Sequence, residues 1–316
     1  MTPSRSPRPD LSARIAGVRF PFCLMNASGA LCVTQDELEA LGRSQAGAIV
    51  TKSMTREPRS GNPEPRYFAF SGGSINSMGL PNLGYHAYAE LIPSLKAFGK
   101  PVIASVAGLC EDDFPEIVRV VSKAEPDLIE VNLSCPNIPG KPQIGYDVDA
   151  SERVIRRVRA VADQPIGVKL PPYFDPAHHA AMAEVLHRAP VDFLSLINSV
   201  GNTLLIDPER ESVVIKPKGG FGGLGGAIIK PVALANVRAF AKALQGRIPI
   251  IGVGGIVSGT DAFEHLLAGA SAVQIGTALV EEGLKVFDRI GHELEVILAQ
   301  KGYRGVESLV GSLQEL

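Results

Sequence analysis

The stretch DLIEVNLSCPN, residues 127–137, begins as an apolar run and ends in a cluster of polar side chains. Its first half has the hydrophobic character of a buried parallel strand. Two amides, a hydroxyl and a thiol follow, and such groups suit a ligand better than a core. A free cysteine alone is usually a small buried residue, so the whole pattern carries the inference. We therefore expect a strand that opens on a site, with Cys135 at its mouth.

Eight short apolar runs recur along the chain, and helical patterns lie between most of them. The runs cover residues 20–25, 46–50, 101–106, 128–133, 166–170, 193–197, 248–253 and 272–275. This alternation favours βαβ units with a parallel sheet, and eight of them predict an α/β fold, a (β/α)8 TIM barrel. The long, Gly/Pro-rich residues 55–88 predict a loop insertion above the carboxyl-terminal face of that barrel.

Length and composition indicate an ordinary globular protein. Of the 316 residues, 45% are hydrophobic and 20% charged, and the net charge is −2, which argues against disorder and against a nucleic-acid partner. We expect a flexible basic tail over residues 1–14 and a single barrel domain over residues 15–316. With neither a secretory signal nor an apolar run of about eighteen residues, the sequence predicts a cytoplasmic protein without a membrane partner.

Metal and disulfide chemistry are not indicated. The four cysteines lack CxxC spacing and a small secreted context, so we expect reduced thiols. The six histidines lie away from the predicted strand ends, and no HExxH motif or paired His/Asp spacing marks a metal site.

The carboxyl ends of the predicted strands carry polar residues and glycines that should form one mouth. Lys52 and Lys169 both end apolar strands, where a buried ammonium needs a partner such as an anionic ligand. The glycine segments 222–226, 252–255 and 276–277 suit a phosphate, because backbone N–H groups can approach it closely. Residues 74–82, SINSMGLPN, follow the Lys52 strand, and their amides with Asn76 could receive a carboxylate.

These motifs resemble the dihydroorotate dehydrogenase family, specifically its soluble class 1A type. The motifs SINSMGLPN, NLSCPNIPGKPQ, GVKLPPYFD, INSVGN, VVIKPKGGFGGLGG and GVGGI run in the expected order over nearly the whole chain. The membrane-bound class would instead carry an amino-terminal extension and a serine in place of Cys135.

The resemblance implies that FMN takes hydride at N5 from C6 of dihydroorotate while a base removes a proton from C5, giving orotate. Cys135 matches that base. The positions that match the substrate site are Lys52, Asn76, Ser77, Met78, Gly79, Leu80, Asn132, Asn137, Asn198 and Ser199. Those that match the FMN site are Ala27, Ser28, Gly29, Lys52, Ser53, Asn76, Asn132, Lys169, Ile197, Gly225, Gly226, Gly254, Gly255, Gly276 and Thr277.

The resemblance further implies fumarate as electron acceptor, succinate as second product, and a homodimer. Two alternatives stay open at this point. A class 1B catalytic chain would pass electrons to a partner that carries FAD and an iron–sulfur cluster, and then to NAD. A phosphosugar lyase would form a Schiff base on Lys52 or Lys169, but it leaves Cys135 and the asparagines unused.

Overall fold

The centre of the protein is a parallel barrel. The computed structural model describes residues 8–134, 143–189 and 191–316. Within them, eight parallel strands form one sheet in the order β1-β8-β7-β6-β5-β4-β3-β2. They are β1 (Leu24–Asn26), β2 (Ile49–Val50), β3 (Val102–Val106), β4 (Leu128–Asn132), β5 (Ile166–Leu170), β6 (Phe193–Leu196), β7 (Ile250–Val253) and β8 (Ala270–Ile275). Each predicted apolar run overlaps one of these strands, which confirms the (β/α)8 barrel.

The first and second strands are joined by a side chain. Asn26 Nδ2 donates to the carbonyl of Val50 at 2.8 Å, and the Val50 amide donates to Asn26 Oδ1 at 2.9 Å. Below them, the Gly47 amide donates to the Leu24 carbonyl at 2.8 Å. The side-chain amide of Asn26 thus takes the place of a strand's backbone and helps to close the barrel.

Helices follow the strands as predicted. They are α1 (Gln35–Arg43), α2 (Tyr85–Lys96), α3 (Asp113–Val121), α4 (Val148–Arg159), α5 (Pro176–Arg188), α6 (Lys230–Ala243), α7 (Gly259–Ala268), α8 (Thr277–Glu282) and α9 (Val286–Lys301). Several begin at side-chain caps that satisfy free N–H groups: a Thr34/Glu37 capping box starts α1, and Asp147 and Ser258 cap α4 and α7. Their apolar faces and the strands bury one continuous core.

The insertion after β2 forms part of a second sheet. Strands Tyr67–Phe70 and Gly73–Asn76 pair as a hairpin, and the latter strand pairs with Phe221–Gly225, which in turn pairs with Val200–Leu204. This four-stranded antiparallel sheet brings Asn76 and Gly225 to the cavity at the carboxyl ends of the barrel strands. The predicted insertion above that face is therefore present.

The amino-terminal end of the described chain contacts its carboxyl-terminal part. Strand Ala13–Ile15 pairs with Val18–Phe20, so Phe20 belongs to this hairpin, which explains why β1 starts later than its predicted run. The Asp10 amide donates to the Arg304 carbonyl at 2.9 Å. The boundary expected after residue 14 thus falls within a strand, while the division into tail and domain stays a prediction. No helix in the described ranges is long and apolar enough to cross a membrane.

Candidate active site

One cavity of about 390 Å³ lies at the carboxyl ends of the barrel strands, where barrels hold their active sites. Most of the predicted site residues line it together. They are Ala27, Ser28, Gly29, Lys52, Ser53, Asn76, Met78, Leu80, Asn132, Lys169, Ile197, Asn198, Ser199, Gly225, Gly226, Gly254, Gly255, Gly276 and Thr277. Ser77 and Gly79 lie in the same loop without lining the described wall, and Cys135 and Asn137 fall outside the described residues.

Two buried ammonium groups belong to this cavity. Lys52 follows β2 and is 6% exposed, and Lys169, within β5, is 4% exposed. Lys169 Nζ donates to Ser28 Oγ at 3.2 Å, and a Cβ added to Gly29 would lie 3.9 Å from Lys52 Nζ. Two buried cations that line one cavity suit a ligand that carries negative charge.

Serine hydroxyls connect the strands beneath the cavity. Ser53 Oγ lies 3.3 Å from Ser28 Oγ and 2.9 Å from Ser105 Oγ. Asn132 Nδ2 donates to the same Ser53 hydroxyl at 3.0 Å. The network fixes the orientation of the Asn132 amide and links it to Ser28, the partner of Lys169.

A second group of hydrogen bonds joins the ends of β4 and β6. Asn132 Oδ1 accepts from the amide and the hydroxyl of Ser134, at 3.1 and 3.0 Å. Asn198 Nδ2 donates to the Ser134 carbonyl at 3.0 Å and to its hydroxyl at 2.9 Å. Two amide side chains are thereby held side by side on the cavity wall, an arrangement suited to a ligand with several polar edges.

In the loop after strand Gly73–Asn76, three successive carbonyls accept hydrogen bonds from Arg59 and Asn62. Asn62 Nδ2 donates to the Ser77 carbonyl at 2.8 Å, the Asn62 amide donates to the Met78 carbonyl at 2.9 Å, and Arg59 Nε donates to the Gly79 carbonyl at 3.1 Å. In a trans peptide the C=O and the next N–H point in opposite directions. The amides of Met78, Gly79 and Leu80 therefore point away from Asn62 and Arg59, in the manner of an anion-binding loop.

The glycine segment after β7 is held by charged and aromatic neighbours. The imidazole of His265 donates from Nε2 to the Gly254 carbonyl at 2.9 Å, and burial lowers the pKa of His265 to about 4, so the ring is neutral near pH 7. Gly254 and Gly255 have φ of +115° and +78°, and a Cβ at Gly255 would lie 2.4 Å from Lys230. Both positions therefore favour glycine.

Ion pairs support the same segment. Lys230 Nζ lies 2.7 Å from Asp261 and 2.8 Å from Glu264. Asp261 in turn accepts from the Val257 amide at 3.0 Å. Burial raises the pKa of Asp261, but the bonds from Lys230, Ser258 and Val257 outweigh it and leave the pKa lowered. These contacts fix the loop that forms one end of the cavity.

The cysteines among the described residues do not provide a base. Burial raises the pKa of Cys23 and of Cys32 to about 12, although Lys52 lowers that of Cys32 in part. Cys110 is exposed and does not line the cavity. The described residues hold no group of three or more His, Cys, Asp or Glu side chains placed for a metal ion.

Of the polar cavity residues that sequence reasoning missed, Gln274 and Tyr67 each have a buried polar atom without a partner among the described residues. Gln274, within β8, is fully buried, and its Oε1 has no partner among the described residues; the Tyr67 hydroxyl is likewise buried and unpaired there. The glutamine within the apolar run AVQI could have indicated a site residue, because a side-chain amide is costly to bury without hydrogen-bond partners. Tyr67 resembles any strand tyrosine, so its sequence context contains no comparable signal.

Comparisons with known proteins agree with this geometry. A family model described as dihydroorotate dehydrogenase matches residues 10–298. The chain is similar to the dihydroorotate dehydrogenase A (fumarate) of Lactococcus lactis subsp. cremoris (strain MG1363), with 51% identity over 310 residues that cover 97% of this chain and 100% of the relative. The dihydroorotate dehydrogenase (fumarate) of Kluyveromyces lactis is 50% identical over 313 residues, which cover 98% of this chain and 99% of the relative.

A solved structure supports the fold. The crystal structure of DHODH in complex with ferulenol from Eimeria tenella is similar with a TM-score of 0.82 and 22% identity, over 99% of this chain and 90% of that chain. At that identity the likeness concerns the barrel alone. The family model and the two relatives cover nearly the whole sequence, including each cavity segment that the structure describes. The chain belongs to the dihydroorotate dehydrogenase family.

Proposed function

We propose that this chain oxidises dihydroorotate to orotate in pyrimidine biosynthesis, with FMN as cofactor and fumarate as electron acceptor. The observation that carries the proposal is that two buried lysines line one cavity together with residues of the loop after Asn76 and with the glycines that follow β7 and β8. Such a cavity could bind two anions, a substrate that carries a carboxylate and a cofactor that carries a phosphate.

The residues present fit FMN. The cavity volume lies in the range of cofactor sites, and Gly225, Gly226, Gly254, Gly255 and Gly276 leave part of its wall without side chains. We assign the phosphate to the segments at Gly254–Gly255 and Gly276–Thr277, and Lys169 to the flavin pyrimidine edge. Ala27, Ser28, Gly29, Ser53 and Ile197 complete this proposed site. When bound, FMN would supply the hydride acceptor of the reaction.

The substrate carboxylate is assigned to Lys52, Asn76 and the loop at residues 77–80. The hydrogen bonds from Arg59 and Asn62 to the carbonyls of that loop support this assignment, because they leave the loop's N–H groups pointing away from those two residues. Asn132, Asn137, Asn198 and Ser199 would bind the pyrimidine edge, and the rigid Asn132–Ser134–Asn198 group suits such a task. Holding the ring by both ends orients C6 for hydride transfer.

Cys135 is assigned as the base that takes the C5 proton. It directly follows Ser134, whose hydrogen bonds to Asn132 and Asn198 fix the chain beside the cavity. A free thiol has a pKa of about 8.5, so its surroundings must lower that value or activity must rise with pH.

We further propose a cytoplasmic homodimer with residues 15–316 as one barrel domain after a tail of residues 1–14. The relatives named above are fumarate enzymes, so neither the class 1B chain nor the Schiff-base lyase is favoured.

Anaerobic titration of the purified chain with dihydroorotate tests the proposal. We expect bound FMN that loses its oxidised absorbance as orotate forms, and that regains it when fumarate is added. A protein without flavin, or with flavin that dihydroorotate does not reduce, would contradict the proposed function.

A further inference from the structure

The interior of the barrel below the cavity contains a buried carboxylate. Glu130 lies in the middle of β4 and is fully buried, as are Ser105, Ser195 and Gln274 around it. Barrel interiors are normally filled by layers of branched apolar side chains. A carboxylate placed there instead, within a run that is otherwise apolar, points to a role beyond packing.

Side chains on three other strands each donate a hydrogen bond to this carboxylate. Ser195 Oγ donates to Oε2 at 2.6 Å, Ser105 Oγ donates to Oε1 at 2.9 Å, and Gln274 Nε2 donates to Oε2 at 3.1 Å. The donors come from β6, β3 and β8, so the acceptor sits near the barrel axis. Both oxygens are thus satisfied in the manner of an ionised carboxylate.

The carboxylate is also connected to the cavity floor. Ser53 Oγ lies 2.9 Å from Ser105 Oγ and donates to Ser28 Oγ at 3.3 Å, and Ser28 also accepts from Lys169 Nζ at 3.2 Å. Lys169 can only donate and ionised Glu130 can only accept, so the hydroxyl chain runs between opposite charges. In the strand register Glu130 lies opposite Gly167, two residues before Lys169, so the two charged groups lie in adjoining layers.

Electrostatics favour the ionised form of Glu130. Burial is the largest influence on its pKa and raises it, but the Lys169 ammonium and the three donors together outweigh burial and hold the pKa below its usual range. A cation at a flavin's pyrimidine edge stabilises the reduced, negatively charged ring. A buried anion behind that cation opposes this effect, because charges in a weakly polar interior act over several ångströms.

We propose that Glu130 is a positioning residue that offsets the charge of Lys169 and so lowers the reduction potential of the flavin bound above it. The inference rests on the proposed FMN site. A lower potential makes the reduced flavin a better hydride donor, which matters for an enzyme that must reduce a second substrate as well as oxidise the first.

The test measures the flavin reduction potential of the FMN-loaded chain by equilibration with a reference dye. Glu130→Gln keeps the size of the side chain and removes its charge. We expect the equilibrium between reduced and oxidised flavin to shift at least tenfold toward the reduced form, which is about 30 mV for a two-electron couple. Affinity for oxidised FMN should change much less, whereas a merely structural role would weaken FMN binding and leave the potential of the bound flavin unchanged.

Two matched variants control for charge and for packing. Glu130→Asp retains the anion, so its potential should stay close to that of the wild type. Glu315→Gln removes the same charge from an exposed side chain paired with Arg238 and Lys242, and its potential should not move. A Glu130→Gln protein that binds FMN with an unchanged potential would overturn the inference.

Ser195→Ala is an independent test of the inference if the Glu130→Gln protein does not fold. This variant withdraws the donor 2.6 Å from Oε2 and changes no formal charge. Without this donor the Glu130 carboxylate is either less compensated, which lowers the potential, or protonated, which raises it. The potential should therefore differ from that of the wild type, and an unchanged potential would again overturn the inference. If the wild-type chain binds no flavin, the proposed function itself fails. That result differs from a flavoprotein whose reduction potential does not depend on Glu130, which would overturn only the inference.

Discussion

At the scale of residues, Cys135→Ser should separate binding from chemistry. A serine hydroxyl is a far weaker acid than a thiol and makes a poor base without help, whereas its size is similar. We expect FMN to stay bound and flavin reduction by dihydroorotate to slow by about a hundredfold or more near neutral pH. Stopped-flow absorbance under anaerobic conditions measures that step directly.

Cys110→Ser is the matched control, because Cys110 is an exposed thiol away from the cavity. It should reduce its flavin at the wild-type rate. If Cys135→Ser also reduced at that rate while chemistry limited the reaction, the assignment of the base would be wrong.

The two cavity lysines should have separable effects. Lys52→Ala removes the charge that we assign to the substrate carboxylate, so orotate should bind more weakly by about 1.5–3 kcal/mol, a larger loss than that of FMN affinity. Lys169→Ala should instead alter the flavin, since its ammonium is linked to Ser28 on the cofactor side. Titration of the flavin absorbance with orotate, and release of FMN followed by fluorescence, measure the two effects. Unchanged orotate affinity in Lys52→Ala would contradict the carboxylate site.

At the scale of elements, His265 on α7 should make the free energy of unfolding depend on pH, because its buried imidazole is bonded to the Gly254 carbonyl in the loop after β7. Burial lowers the folded pKa of His265 to about 4, against about 6.5 in an unfolded chain. Between these values the unfolded chain binds more protons. The contribution of His265 is therefore complete above about pH 6.5 and is lost as the pH falls toward 4, with an upper size of roughly 3 kcal/mol.

His265→Gln should remove this dependence, because an amide can still donate to the Gly254 carbonyl and does not titrate. Chemical denaturation at several pH values between 4 and 7 should give a flatter stability profile for the variant than for the wild type. His187→Gln, which changes an exposed histidine of α5, should leave the profile as it was. Parallel profiles for wild type and His265→Gln would refute the role of this imidazole.

The elements were more predictable than their polar contacts. Each barrel strand is a short apolar run, and that local property alone indicated eight strands and the end at which a site would lie. The Asn26 amide joins β1 to β2 through a partner 24 residues away. Glu130 finds Ser195 and Gln274 at separations of 65 and 144 residues. Such partners become neighbours only when the barrel closes, so a pattern along the chain cannot indicate them.

At the scale of the whole molecule, one cavity should serve both half-reactions. Dihydroorotate and fumarate are both carboxylates, so Lys52 and the amides of residues 78–80 can orient either one against the flavin. Each must leave before the other binds. We therefore expect ping-pong kinetics for the isolated chain, with orotate and succinate formed in equal amounts, and competition between orotate and fumarate for the reduced protein.

Lys52→Ala extends this prediction, because a shared carboxylate site requires one substitution to weaken both half-reactions. Steady-state rates with each substrate varied in turn should show lower kcat/KM for dihydroorotate and for fumarate, whereas Cys110→Ser should change neither. NADH and quinones should be poor partners, since the sequence has no nicotinamide-binding fingerprint. Rapid NAD-linked turnover without succinate would contradict the fumarate assignment and still leave the flavin barrel in place, because the cavity for FMN is formed by the strand ends and does not depend on the acceptor.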